Sequence, residues 1–532
     1  MQRFLFLLAF CFSAAARAGD FIDTRINFTI TDENLLVKPG ETNPSVPGVH
    51  IGQPSSLGLL FFDNYDTRYT GYENLTHAVI YKKMSGERWD AEGAFVLRLL
   101  EFTDVSLSSI DDGSYLKISF YISPEHKSNL SFVGFPLSAD RMRLGYSYRL
   151  SWGGSPIFFK YNPDLPTSAQ VPVNSAPAPG GRFQWSSERY NVWFGGKTSL
   201  LLNRNPQVNE QVAVYGLLGG ASVDLVPNWL RLDLNGGYFH RGTNQNLYST
   251  QSVGAGGTYT DYPIQTFGGS LQLSLYHGLS PTGSLDYSLY RNDPISAARY
   301  FTRPVYKPGF NWVAQSEFTA IRTSLQDGDK TDSTTWQTAI AGDVNLRAQW
   351  GHLRAKVDAV YRSLEFILLN QPSLVPYQAF PTAAQVKPDY FIAAGVDYHF
   401  EKLGLTVGPT VGIDFPATFT PPSGAAVAQL CGNTMGSLCS SSTIVIRGEG
   451  DYSILPPMQT ALPVFGAKLL AREDFLDHFA LILDLYGGYD PNQTVLSKVM
   501  DPADPSYGTE VRVFNKSAQT QLGFNLTLQA RF

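Results

Sequence analysis

The sequence predicts an all-β chain, closed into a transmembrane antiparallel β-barrel of about 18 strands, with 16 the alternative count. Three observations carry this: an alternating segment at the carboxy end, a composition poor in charge and rich in aromatics and glycine, and connections that alternate between long and short.

In Gln521 to Phe532 every even position (Leu522, Phe524, Leu526, Leu528, Ala530, Phe532) is apolar. Every odd one (Gln521, Gly523, Asn525, Thr527, Gln529, Arg531) is polar or glycine. A period of two is the strand period, so one face is apolar and the other wet. Half-buried strands of soluble sandwiches usually run about five or six residues. A tilted strand needs about 9–11 to cross a hydrocarbon core, and this segment is long enough. Charged residues are 16% of the chain, against about 25% in ordinary globular domains. Phe (34), Tyr (28) and Gly (48) are abundant, as strands, aromatic girdles and turns require. After Ala18 no run of about 18 apolar residues exists, so a membrane-spanning helix is not expected. A secreted propeller or β-solenoid is the soluble alternative, but no period of 20–50 residues supports it.

Residues 1–18 read as a signal peptide: Arg3, an apolar stretch from Phe4 to Phe12, then Ala16-Arg17-Ala18 as a small-x-small cleavage site. Cys11 follows Phe10, where a lipid anchor would want a small residue. Removing the peptide takes Arg3 and Arg17 from 40 basic residues, leaving 38 against 46 acidic ones, a net charge of −8. That balance argues against a nucleic-acid partner.

Residues 19–55 are predicted to be a periplasmic extension or a first strand; the alternating Ile26-Asn27-Phe28-Thr29-Ile30 can pair with the closing strand. The barrel is assigned to 56–532. Its first strands are read at Leu57–Tyr65, His77–Met84, Ala91–Thr103, Ser114–Ile122 and Asn129–Phe135. Arg141–Trp152 reads as a further strand, with Leu144, Tyr146, Tyr148, Leu150 and Trp152 on one face and Arg143, Ser147, Arg149 and Ser151 on the other. Gly153 to Arg182 holds six prolines and reads as a long loop, narrowing the lumen through Ile157 to Tyr161 or lying exposed. Strands resume at Glu188–Leu202, Glu210–Leu225, Trp229–His240, Gln265–Tyr276 and Ser284–Tyr290.

From Phe310 onward the strands are Phe310–Leu325, Thr335–Trp350, His352–Leu364, Tyr390–Glu401, Leu405–Phe415, Ala461–Arg472, His478–Tyr489 and Glu510–Phe532. Long connections (326–334, 365–389, 416–460, 490–509) alternate with short ones (351, 402–404, 473–477), the habit of outer-membrane barrels. With the last strand ending in the periplasm, the long set faces outward. Cys431 and Cys439, the only mature cysteines, lie on that side. They are predicted to pair and staple their loop, since no His or acidic residue between 425 and 442 offers a metal site.

A barrel in lipid turns its apolar positions outward. A lysine or arginine on the lipid face near mid-bilayer costs roughly 2–4 kcal/mol, so the alternate positions line the lumen. The expected pore-lining residues are Arg143, Arg149, Arg231, Asp233, Asp343, Arg347, Arg354, Lys356, Asp358 and Arg362, with His352, Asn345 and Gln349 beside them. They form either a solute pathway biased by charge or a packed interior of cross-strand ion pairs. Tyr146, Tyr148, Trp152, Tyr190, Trp193, Trp312, Trp350, Tyr486 and Tyr489 are read as girdle residues, with a sugar-stacking track as the alternative. No His-Glu-x-x-His, phosphate loop or dinucleotide fingerprint occurs, and Gly278 to Gly283 has the wrong spacing for a nucleophile elbow. The chain is therefore not expected to be an enzyme, and no cofactor is implied.

The terminal alternating strand ending on Phe532, with the signal peptide and the loop asymmetry, resembles the porin-like outer-membrane β-barrels of Gram-negative bacteria over nearly the whole mature length. The resemblance implies an integral outer-membrane location, contact with outer-membrane lipid and lipopolysaccharide, and Phe532 as the signal read by the barrel-assembly machinery. It implies passive diffusion of small hydrophilic solutes or ions; homo-oligomers or envelope partners are possible partners. The alternatives are an anchor or scaffold barrel in a surface, motility or polysaccharide-export assembly, and a conduit for polysaccharide or hydrophobic substrates.

Overall fold

A computed structural model describes residues 23–32, 34–36, 54–55, 58–59, 73–102, 105–111, 113–137, 142–147, 150–153, 179–202, 211–243, 262–281, 306–327, 329–330, 333–369, 379–421, 442–446, 452–475, 478–501, 503, 508 and 510–531. The strand read at 284–290 and all but Gly58–Leu59 of that read at 57–65 lie outside these residues, as do Tyr148 and the loop residues Ile157 to Tyr161. So do Arg149, Cys431, Cys439 and Phe532.

Nineteen strands form one antiparallel sheet. They are β1 (Asp23–Asp32), β2 (Glu73–Ser85), β3 (Trp89–Phe102), β4 (Val105–Asp111), β5 (Tyr115–Tyr121), β6 (Ser128–Phe135), β7 (Gly180–Ser187), β8 (Tyr190–Leu202), β9 (Gln211–Val226) and β10 (Leu230–Thr243). There follow β11 (Pro263–His277), β12 (Phe310–Gln326), β13 (Thr334–Trp350), β14 (Leu353–Arg362), β15 (Asp389–Phe400), β16 (Leu405–Phe415), β17 (Val464–Phe475), β18 (Phe479–Tyr489) and β19 (Thr520–Arg531).

β4 and β5 share one place, because both pair with β3: β4 along its outer half, β5 along its inner half. Nineteen strands less that one doubling leave eighteen places around the wall. The wall closes at β1, which pairs with β19 from Arg25↔Arg531 to Asp32↔Phe524 and with β2 from Asp23↔Tyr81 to Thr31↔Glu73. No edge is left between β19 and β2, which is what a strand sheet in hydrocarbon requires.

Alternation of side chains decides which way each strand faces. Along β14 the pattern is strict: Leu353 and Val357 are exposed, while Arg354, Lys356 and Asp358 are buried. β11 does the same with Leu271, Leu273 and Leu275 outside and Ser270, Gln272 and Ser274 inside. The polarity is inverted relative to a soluble protein, with an apolar belt outside and polar groups within. That inversion has a low cost only where lipid, not water, meets the belt.

Inner-rim turns are tight at 86–88, 188–189, 227–229, 351–352 and 401–404. At Gly351 (φ 57°) and Gly404 (φ 63°) the chain enters the left-handed region that a side chain disfavours. One inner connection departs from the rule, the long 278–309 between β11 and β12. On the outer side a separate small core is built by a short helix, α1 (Leu364–Leu369), and a four-stranded sheet of Gln385–Lys387, Ala417–Thr420, Ile444–Ile446 and Tyr452–Ile454. Leu364, Ile367, Phe419, Ile444 and Ile454 bury against one another there.

Several expectations are corrected. Residues 141–152 are not a stave, for β6 pairs directly with β7. Strand β7 instead occupies 180–187, beginning inside the stretch read as loop (153–182), where prolines end at Pro179 and Gly180 begins the pairing. The segment read as one strand from Glu510 divides: Glu510–Phe514 pairs with Thr494–Lys498 in an outer hairpin, and only β19 joins the wall.

Candidate functional site

The residues misread as a strand form a hairpin inserted into the barrel. Leu144 and Trp152 exchange backbone hydrogen bonds at 2.9 Å in each direction, and the Leu150 N–H donates to Ser147 O. The positive φ of Gly145 (96°) and of Gly153 (78°) bends the chain directly after each bridged residue. Leu144, Tyr146, Leu150 and Trp152 are buried, so the apolar period that resembled a lipid-facing strand packs inward. Tyr146 and Trp152 are therefore not girdle residues, and neither is Trp193, which is buried beside Arg182 with the guanidinium 5.9 Å from its ring. Trp152 meets Phe239 edge to face at 5.7 Å, and Phe239 also lies beneath the ammonium of Lys197. The described aromatics that do lie outside include Tyr190, Trp350 and Tyr489.

Polar groups of the wall hold the hairpin by its backbone. Glu317 on β12 accepts the N–H of Tyr146 on both carboxylate oxygens at 3.1 Å and that of Ser147 at 2.5 Å. The Thr319 hydroxyl donates to the same carboxylate at 3.1 Å. Asn235 accepts the Gly145 N–H (3.2 Å), Trp152 Nε1 donates to Ser270 (3.4 Å), and Lys197 Nζ donates to Met142 O (3.0 Å). These contacts fall on β8 and β10 to β12, one side of the ring.

Across β14 to β18 the wall carries pairs of opposite charge. Arg354 donates to Asp397 at 2.6 Å, Arg362 lies 2.7 Å from Asp389, Lys468 3.0 Å from Asp484, and Arg472 2.8 Å from Asp474. On the hairpin side Arg231 bonds Asp233 at 2.9 Å, Arg347 donates to Gln315 and Asn345 to Asp358. Burial of a charge is tolerated because each gains a partner; an isolated one would cost several kcal/mol.

Of the pore-lining residues expected from sequence, Arg231, Asp233, Asp343, Arg347, Arg354, Lys356, Asp358 and Arg362 all stand on the polar face of their strands. Arg143 sits on the inserted hairpin rather than on a strand. Sequence reasoning missed Glu317, Lys197, Lys468 and Asp484. Their strands alternate plainly, so the signal was there: a lone charge at an inward position of an apolar strand.

The inner mouth has a second inserted group. Tyr306, from the long inner connection, stacks on His399 (4.6 Å between centroids, 12° between planes) under the guanidinium of Arg354 at 5.2 Å. Its hydroxyl lies 3.3 Å from that of Thr406, and burial lifts its phenol above the ordinary range. Lys307 donates to Gly278 O at 2.7 Å, tying the two ends of the connection together. Among the described residues no group of three His, Cys, Asp or Glu side chains could hold a metal ion.

No family model and no curated protein matches the sequence. Solved structures similar to it include OccK11 (OpdR) of Pseudomonas aeruginosa (8% identity, 96% of each chain covered, TM-score 0.40) and OccAB2 of Acinetobacter baumannii (6%, 96% and 97%, 0.43). A third is Wzi of Escherichia coli, described as an outer-membrane carbohydrate-binding β-barrel involved in group 1 capsule assembly (11%, 98% and 86%, 0.39). At TM-scores below 0.5, these likenesses decide neither the solute nor the role of the chain.

Proposed function

We propose that the protein is an integral outer-membrane channel for passive diffusion of small hydrophilic solutes or ions, narrowed by the hairpin 142–153. One observation carries this reading: the hairpin is hydrogen-bonded to one side of a closed, inverted barrel, while the facing side, β14 to β18, presents charge pairs. A solute path runs between the two, where the partly open Arg354 and Arg362, each beside an aspartate, present charge to a passing ion. The lipid-facing belt sets the barrel in a membrane, and the long connections mark its outer side.

Single-channel recording from folded protein in a planar lipid bilayer tests the proposal. Stepwise current is expected, smaller than an unobstructed eighteen-place barrel would pass. A second reading is favoured by the tightness of the wall, where Asp233 and Asp484 are each 0% exposed. A barrel that stays shut would serve as an anchor in a surface, motility or polysaccharide-export assembly. A barrel shown to be folded by heat-modifiable gel migration, yet silent at every voltage, would reject diffusion and leave the anchor.

A further inference from the structure

We propose that Lys356 and Thr410 form a docking point for an oxyanion, a carboxylate or a phosphate, on the inner wall. Its role in transport rests on the channel reading, but its chemistry does not.

Lys356 is 6% exposed and Thr410 2%, and neither Lys356 Nζ nor Thr410 Oγ1 has a hydrogen-bond partner. The two stand in one row of the sheet, on either side of a glycine: Lys356↔Gly395 and Gly395↔Thr410. A Cβ at Gly395 would come within 2.9 Å of Lys356 Cε and 2.5 Å of Thr410 Oγ1, so both side chains lean over the same bare backbone and converge.

Asp358 and Asp397 act on this ammonium through space, but neither hydrogen-bonds it, and each is engaged with another donor. Asp397 accepts from Arg354, Asp358 from Asn345, and Asp484 lies against Lys468, the next cation in the row. An ammonium has three donors and no acceptor, and a hydroxyl can add a fourth donor. A buried cation without an acceptor is costly, and one oxyanion oxygen within reach of both groups would satisfy them together. Neither a cation nor a neutral donor could do so.

The neighbouring row is built from small residues and is open at its Gly488 end, whereas at Gly412 the Phe391 ring would lie 3.0 Å from an added Cβ. It runs Asp358↔Ala393, Ala393↔Gly412, Gly412↔Gly466, Gly466↔Gly488, four small residues in succession on the outer side of the lysine row. At Gly488 an added Cβ would meet only Phe465 O, 3.8 Å away.

Isothermal calorimetry on the folded barrel in neutral detergent at low ionic strength, titrated with sodium acetate and separately with sodium phosphate, tests the site. A saturable one-site heat is expected with at least one salt, and the stronger of the two tells carboxylate from phosphate. Lys356→Gln should weaken it by about tenfold or more, as loss of a charged hydrogen bond does, and Thr410→Val by a smaller factor. Should Lys356→Gln fail to migrate as a folded barrel, Thr410→Val carries the comparison alone. No saturable heat with either salt, or binding that survives both substitutions, overturns the proposal. Because calorimetry needs no current, a silent barrel that binds would reject the channel and keep the site, and a conducting barrel that binds neither salt would do the reverse.

Discussion

At Glu317 one carboxylate, 3% exposed, accepts two backbone N–H groups of the hairpin and the Thr319 hydroxyl. Hydrogen bonds to a charged group contribute about 1.5–3 kcal/mol, so this is the strongest single attachment of the hairpin. Glu317→Gln keeps the shape and one acceptor oxygen but replaces the charge and the second acceptor with an amide donor, beside N–H groups that need an acceptor. Open-channel noise and mean conductance should both rise in bilayer recordings, with gel migration unchanged; quiet, wild-type currents would show that the carboxylate does not hold the hairpin. A second carboxylate acts outside the wall. Asp329 accepts the Thr382 N–H at 3.0 Å and its hydroxyl at 2.7 Å, and these bonds hold its carboxyl below the ordinary range. A group held lower when folded gives its full contribution above the unfolded value, about 3.9, and loses it as pH falls below that. The protection factor of the Thr382 amide should therefore fall below about pH 4 in the wild type and be low at all pH values in Asp329→Ala. The inward charges Arg354, Lys356 and Asp358 were legible because period two and the cost of charge in lipid leave them one face. Glu317 was not singled out, since its importance lies in what reaches it from 170 residues away in sequence.

Among the elements, the hairpin 142–153 is where sequence and structure part. Its alternation is as clean as that of β19, yet it packs inside the barrel. Periodicity reports that one face is buried in something apolar, and it cannot say whether that is lipid or Phe239 and its neighbours. Glycines were the available clue: Gly145 and Gly153 directly follow the bridged Leu144 and Trp152 and take positive φ, which a spanning strand does not need. Replacing 142–153 by a Gly-Ser linker of equal length should raise single-channel conductance severalfold; unchanged conductance would place the narrowest point elsewhere. At the inner mouth Tyr306→Ala removes the stack on His399 and the lid over Arg354, which aromatic and cation–π pairs make worth about 0.5–2 kcal/mol. A measurable rise in conductance is expected when the substituted protein is compared with the wild type, and a double substitution with the hairpin linker should exceed either alone.

For the whole molecule the architecture was readable because it rests on features that repeat: alternation, long outer and short inner connections, and an apolar face with nowhere to go but lipid. The place count of eighteen was reached, though two strands share a place and one expected strand is the hairpin. The lipid-facing belt makes a thermodynamic prediction. Val344 and Leu346 are exposed on β13, alternating with buried Asp343 and Arg347 and half-buried Asn345. Val344→Arg should destabilise the barrel by about 2–4 kcal/mol in urea unfolding from lipid vesicles, whereas Ser274→Ala, on the inner face, should cost far less. Equal effects would mean that the belt does not face hydrocarbon.

The seam between β1 and β19 bears on how such a wall comes into being. Arg25 meets Arg531, so this contact spans 531 − 25 = 506 residues, and it cannot form until almost the whole chain has been made. Loop-closure entropy and contact order make it the slowest pairing to find. Until then β1 and the growing end are raw edges, each able to recruit a stranger's strand. An agent that held the first edge while the last approached would shorten that search, and once the seam has zipped its eight residue pairs close the ring.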